Sequence, residues 1–220
     1  MSSLNPDFQR LIASCSEIAS LFPDGVVFIG GIAIYLYTIN HAETALFAEF
    51  THDADFYISI NDMSDLRDIE EVTPNRRLSK HQLIKNGYEF DIYTERYSSL
   101  IVPYDQIKTR AEKFDTISVA SLEHLLVLKL EAYRNRIKSA KGAKDAKDIL
   151  RIAQILATRK KKLRIELVEG YLSDEHSKLL EDIERNSEPL SLARGNAQLA
   201  KRIRNNFTKY IKSPLSGDEN

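Results

Sequence analysis

The dipeptide Asn86-Gly87 stands between two short alternating runs, and this commits the middle of the chain to a β-hairpin. His81-Gln82-Leu83-Ile84 leads in, and Tyr88-Glu89-Phe90-Asp91-Ile92-Tyr93 leads out. Asn and Gly tolerate the left-handed backbone that a two-residue turn needs, so the flanking runs are paired locally. In the second run Tyr88, Phe90 and Ile92 share one face, and Glu89, Asp91 and Tyr93 the other. Residues 53–60 alternate in the same way, with Ala54, Phe56, Ile58 and Ile60 opposite Asp53, Asp55, Tyr57 and Ser59. Val26-Val27-Phe28-Ile29 is apolar without a break, as expected of a central strand covered on both faces. Gly30-Gly31 ends that run, and Ile32 to Asn40 resumes as an apolar helix.

Helical periodicity is expected over 5–21 and 62–71, the latter acidic and at the surface. Residues 104–113 are mixed, and Thr116 to Val119 reads as a short strand. Ser121 opens a helix that runs to about Ile137, Gly142 breaks it, and Ala143 to Ala157 forms the next. From Leu163 to Ile211 the pattern is helix and polar loop. Strands therefore concentrate before residue 120 and helices after it. The expected class is α+β, a small mixed sheet with flanking helices followed by a C-terminal helical region. The expected divisions are 1–120, 121–212 and a flexible tail over 213–220.

The formal net charge of −1 conceals an asymmetry. Residues 1–128 carry 10 Lys+Arg against 19 Asp+Glu, and residues 129–212 carry 21 against 11. An acidic half followed by a basic half points to separate tasks and excludes a uniformly basic nucleic-acid coat. The single cysteine, Cys15, excludes an internal disulfide and a cysteine zinc site, and it reads as a small core residue. The opening residues lack a basic segment followed by an apolar run, so no signal peptide is expected. Val26 to Ile39 is too short to span a bilayer. A soluble cytoplasmic protein is the expectation.

Gly30-Gly31, Asp53-Ala54-Asp55 and Asp91 form the constellation with the clearest chemistry. Two carboxylates at i and i+2 project from one face of a strand, and a third from a neighbouring strand can join them. Like charges so close need a counter-charge. A hard divalent cation supplies it while keeping positions for water and phosphates. Paired glycines between a buried strand and a helix let backbone approach a phosphate at the helix N-terminus. That combination fits nucleotidyl transfer with metal assistance.

Val26–Gly31, Thr51-His52-Asp53-Ala54-Asp55-Phe56 and Glu89-Phe90-Asp91-Ile92 resemble the minimal nucleotidyltransferase pattern of the polymerase-beta-like superfamily. Ser121 to Tyr133 and Lys144-Asp145-Ala146-Lys147-Asp148-Ile149-Leu150 are similar to the helical part of AbiEii-like nucleotidyltransferases, several of them toxins of toxin–antitoxin or abortive-infection systems. The resemblance covers roughly residues 25–157 and implies a nucleotidyltransferase fold. It also implies Asp53 and Asp55 as holders of Mg²⁺ (or Mn²⁺), Asp91 as third carboxylate, and Gly30-Gly31 around the triphosphate of ATP or another NTP. Thr51 matches the hydroxyl residue two places before the first aspartate. Departures are Ile32 and Ala33, where Ser or Thr often follows the glycines, and Glu49, where an Arg is common.

Lys129 lies in an apolar stripe between Leu125, Leu126, Ala132 and Tyr133, so its charge either snorkels out or meets a phosphate or an acidic residue. Lys144 and Asp145 open the next helix, with Lys144 and Asp148 at i,i+4 spacing; by the resemblance Lys144 and Asp145 line the nucleotide site. Glu89 is a weaker carboxylate candidate. His52 should face away from Asp53 and Asp55, and His41, His81, His124 and His176 have no ligand spacing. The absence of a Gly-x-x-x-x-Gly-Lys loop excludes a P-loop enzyme. Arg134, Arg136, Lys138, Lys141, Arg159 to Lys162, Arg164, Lys201, Arg202 and Arg204 could contact an RNA backbone or an acidic protein partner.

The leading expectation is a metal-dependent nucleotidyltransferase moving an NMP from an NTP to a hydroxyl of RNA, protein or a small molecule. Asp53, Asp55 and Asp91 would bind metal and acceptor, and Lys129 would neutralise phosphate charge. The alternatives are a non-catalytic regulatory protein on that scaffold and an RNA-binding module.

Overall fold

The computed structural model describes residues 6–98 and 100–216; the expectations for residues 1–5 and for the tail's end at 217–220 lie outside these. The chain divides into two compact units, one of residues 1–36 with 49–121 and one of 37–48 with 122–220.

The first unit holds β1 (Val26–Ile29), β2 (Asp53–Ile58), β3 (Val72–Asn75), β4 (Lys80–Lys85), β5 (Tyr88–Tyr93), β6 (Glu112–Phe114) and β7 (Ile117–Val119). They form one seven-stranded sheet in the order β3-β4-β5-β2-β1-β7-β6. The β2–β5 and β1–β7 pairs are parallel and the rest antiparallel, so the expected α+β class with a mixed sheet is observed. Helices α1 (Pro6–Leu21), α4 (Ile60–Ile69) and α5 (Tyr104–Thr109) belong to the same unit. At the hairpin Asn86 and Gly87 take φ of 53° and 84°, the left-handed pair that a tight primed turn requires. Ser59 caps α4, accepting from the Asp62 amide at 3.1 Å, which starts the helix two residues before the acidic pattern indicates.

Alternation along the central strands sorts core from site. Phe28, Phe56 and Phe90 are wholly buried on one face, with ring centroids 5.5 and 6.3 Å apart in succession. The other face carries the polar set of β2 and β5. Its far end is closed by Tyr57 against the Tyr104 ring, while Asp53 is exposed and Asp55 half-buried. Cys15 is fully buried in α1, as expected of a small core residue, and burial pushes its thiol pKa up.

Helix α2 (Gly30–Ile39) belongs to the first unit through Leu36 and to the second from Tyr37. The second unit continues with α3 (Ala42–Ala45), α6 (Leu122–Arg136), α7 (Ala140–Arg159), α8 (Asp174–Asn186), α9 (Pro189–Leu192), α10 (Ala197–Phe207) and α11 (Ser213–Ser216). A five-residue π-helical stretch, Thr208–Lys212, joins α10 to α11, so residues 213–216 of the expected tail are helical. Leu125, Leu126, Leu130, Ile149, Ile152, Ile203 and Phe207 are wholly buried and form its core. The break between α6 and α7 falls before Gly142, not at it: Ser139 caps α7 by accepting from the Gly142 amide at 3.1 Å. Gly142 is needed for a different reason, because a Cβ there would lie 2.3 Å from the Arg136 carbonyl oxygen.

Candidate active site

The site begins where β1 stops. Gly30 takes φ +66°, a conformation that a side chain disfavours, and in doing so turns the chain from strand into α2. The Asp55 carboxylate occupies the space above it: a Cβ on Gly30 would lie 2.2 Å from Asp55 Oδ2. Gly31 is close to Thr51, whose Oγ1 would be 3.3 Å from a Cβ there. Thr51 is buried, and its hydroxyl donates to Asp53 Oδ1 at 2.5 Å. The two glycines and the first two aspartates therefore form one local structure. Its backbone N–H groups belong to the first turn of a ten-residue helix, where amides lack intrahelical acceptors.

Strand pairing adds the rest of the face. Parallel register sets Asp55 beside Asp91 and Asp53 beside Glu89. The hairpin register then sets Gln82 beside Asp91. Tyr93 donates to Asp55 Oδ1 at 3.5 Å, the outer limit of a hydrogen bond. Asp91 is 8% exposed and forms an ion pair with Lys80 through Oδ2, while its Oδ1 accepts from Gln82 Nε2 at 3.4 Å. Gln82 also donates to Glu89 and accepts from Asn75 Nδ2 at 3.0 Å. Lys80, Gln82 and Asn75 are thus neighbours of the acidic face that the sequence reading overlooked. The signal for Lys80 and Gln82 was there: continuing the hairpin alternation back from Ile84 places both on the Asp91 side of β4.

Asp53 and Asp55 offer oxygen donors on one face beside a backbone cradle, which is the donor set a hard divalent cation takes. Asp91 already has a counter-charge in Lys80. Among the described residues no group of three or more His, Cys, Asp or Glu side chains is gathered as a metal-binding cluster. The residues present therefore fit a cation held by the Asp53–Asp55 pair, with Asp91 adjacent in register. His52 is exposed just before β2.

The remaining candidates lie in the second unit. Lys129 Nζ is 2.6 Å from Asp148 Oδ2 and 3.2 Å from Asp145 Oδ1, so its charge meets acidic residues of α7. Arg136 binds both oxygens of Asp145, at 2.6 and 2.9 Å. Arg151 donates to Asp148 Oδ1 at 2.7 Å and to the Phe47 carbonyl at 2.8 Å. Asp148 thus turns to Lys129 and Arg151 and not to Lys144, which is half-buried on α7. With three cations on two buried carboxylates, this cluster is compensated internally. Glu123 is held below the usual carboxylate range: burial opposes its charge, but Arg164 pairs with both its oxygens at 2.8 and 2.9 Å.

No protein-family model matches the chain, and no curated protein matches it in sequence. Several solved structures are similar in fold, three of them as follows. The Megavirus polyadenylate synthase matches 69% of the chain at 14% identity and a TM-score of 0.49, and the match spans only 32% of that enzyme. An antigenic nucleotidyltransferase-like protein from Paracoccidioides brasiliensis matches 67% of the chain and 77% of its own length, at 16% identity and TM-score 0.45. JHP933 from Helicobacter pylori matches 99% of the chain and its whole length, at 15% identity and TM-score 0.48. Likenesses this distant assign no activity, and the functional reading rests on the residues themselves.

Proposed function

We propose that the chain is a metal-dependent nucleotidyltransferase that moves an NMP from an NTP to an acceptor hydroxyl. The observation that carries this reading is the Asp55 carboxylate seated on the left-handed Gly30 at the start of α2, with Asp53 on the same strand face and Asp91 beside it in register. Helix-start amides suit the triphosphate, and carboxylates next to them would suit a hard divalent cation. Asp53 and Asp55 would hold Mg²⁺ or Mn²⁺, which when bound neutralises phosphate charge. In the transfer the acceptor oxygen bonds to the α-phosphorus, the bond from that phosphorus to the bridging oxygen breaks, and pyrophosphate leaves. Asp91 steers the hydroxyl and takes its proton, and Lys80 holds the Asp91 carboxylate in place.

The test is incubation with α-labelled NTPs, Mg²⁺ and candidate acceptors (RNA, protein, small hydroxyl compounds). Label transfer that disappears in Asp53→Ala supports the enzyme. A folded protein that binds no NTP overturns it, and supports instead a non-catalytic protein on the same scaffold, the reading to which Ile32 and Ala33 after Gly30-Gly31 point. The resemblance of Ser121–Tyr133 and Lys144–Leu150 to AbiEii-like toxins extends the proposal to a toxin role. Induced expression should then arrest growth, and Asp53→Ala should relieve the arrest.

A further inference from the structure

Ion pairing sorts the basic half into cations already opposed and cations that are not. Arg134 meets Glu131 and Glu175, Arg136 meets Asp145, Arg164 meets Glu123, Arg185 meets Glu181, and Lys212 meets Glu184. Among the described residues no ion pair joins Arg194, Lys201, Arg202, Arg204 or Lys209 to a carboxylate. Residues 189–216 contain six cations and not one Asp or Glu. Ala200, Ile203 and Phe207 seat α10 in the core of its unit, and Gln154 of α7 donates to the Ile203 carbonyl at 3.3 Å. At 3.6 residues per turn the three seated residues occupy one side, Lys201, Arg202 and Asn205 the opposite one, and Arg204 the flank between them. All four are exposed, and Lys209 continues the row with its ammonium 5.4 Å from the Tyr210 ring centroid.

We propose that this outward face of α10, with Lys209 beyond it, is a binding surface for the phosphate backbone of single-stranded RNA. Two of its four cations are arginines, whose planar fork matches phosphate oxygens, and an amide and an aromatic ring are interleaved with them. The helix is fixed by its buried side, so the charges are arrayed before the ligand arrives. From Lys201 to Lys209 is about 12 Å at 1.5 Å per residue, and each of the four cations on it can meet one phosphate of a strand that crosses or follows the row. The surface holds whether or not the first unit transfers nucleotides.

Fluorescence anisotropy of a labelled mixed-sequence single-stranded RNA against the full chain tests this. Four phosphate contacts give a slope of log K against log salt of about −3, so affinity should fall about 50-fold between about 50 and about 200 mM salt. The variant Lys201→Gln/Arg202→Gln/Arg204→Gln should make the slope shallower by about 2. The control Arg76→Glu/Arg77→Glu/Lys113→Glu alters the net charge by more and should leave binding within about twofold, since these are exposed cations of the other unit. Single substitutions at Arg202 and Arg204 serve if the triple variant misfolds, each expected to lower the slope by about 0.7. No RNA binding at the lower salt, equal loss in the control, or poly-L-glutamate bound with RNA ignored would each overturn the proposal.

Discussion

Gly30 is the residue on which the site's geometry turns. Ala at this position would meet both a disfavoured φ and the Asp55 carboxylate 2.2 Å away. Gly30→Ala should therefore cost about 1–3 kcal/mol in urea unfolding and displace Asp55, with NTP affinity falling alongside. Lys80→Met should cost about 3 kcal/mol, because the pair it forms with Asp91 is nearly shielded from water. Two histidines set the acid limit. Burial lowers the pKa of His81 below its ordinary 6.5, and Arg67, which donates to Nε2 at 2.8 Å, lowers it further. Burial lowers His176 in the same way, with Glu131 opposing. The unfolded chain then takes up protons first, so stability is full above pH 6.5 and is lost as pH falls through the folded values. The urea midpoint should drop from about pH 7.5 to about pH 5.5, and His81→Gln/His176→Gln should flatten that drop.

At the scale of elements, two glycine effects have opposite expected signs. A mid-helix Gly replaced by Ala usually gains about 1 kcal/mol. Gly142→Ala should instead lose about 1–3 kcal/mol, because the obstacle is the Arg136 carbonyl and backbone cannot step aside as a side chain can. Thermal unfolding reads the sign directly. The elements legible in the sequence were those whose period or turn chemistry is strong. β1 coincides with the apolar run Val26–Ile29, and the hairpin with Asn86-Gly87. β3 was not legible because Pro74 interrupts a strand pattern, and it survives only because β3 is the sheet edge, where a missing N–H is tolerated. β6 is three residues long, too short to show alternation. The partners of Asp145 and Asp148 were hidden for another reason. They come from α6 and from further along α7, and helical spacing shows neighbours on one helix but not the helix packed against it. Asp145→Asn should cost about 3–5 kcal/mol, since the two-pronged Arg136 pair and one of the two Lys129 pairs would lose their negative charge.

The charge asymmetry read from the sequence maps onto the two units, with one change. Residues 37–48 group with the helical unit, and the continuity of α2 from Gly30 to Ile39 explains why no sequence boundary marks their departure. The first unit carries 10 Lys+Arg against 17 Asp+Glu, and the second 21 against 15. Within the first, three of the carboxylates and one buried lysine make up the candidate site. Within the second, most cations near the core are spent on carboxylates, while Lys201, Arg202, Arg204 and Lys209 join no ion pair among the described residues. Among the described residues no helix is long and apolar enough to cross a membrane. The central claim is that Asp53 and Asp55, seated against Gly30, bind the metal and triphosphate of an NTP for transfer. The most direct measurement is equilibrium binding of a fluorescent NTP with and without Mg²⁺, in the native chain and in Asp53→Ala/Asp55→Ala. Mg²⁺-dependent binding that the double variant loses while its unfolding profile remains cooperative is the predicted result. Binding that is the same in both proteins, or no binding by the native chain, would contradict it.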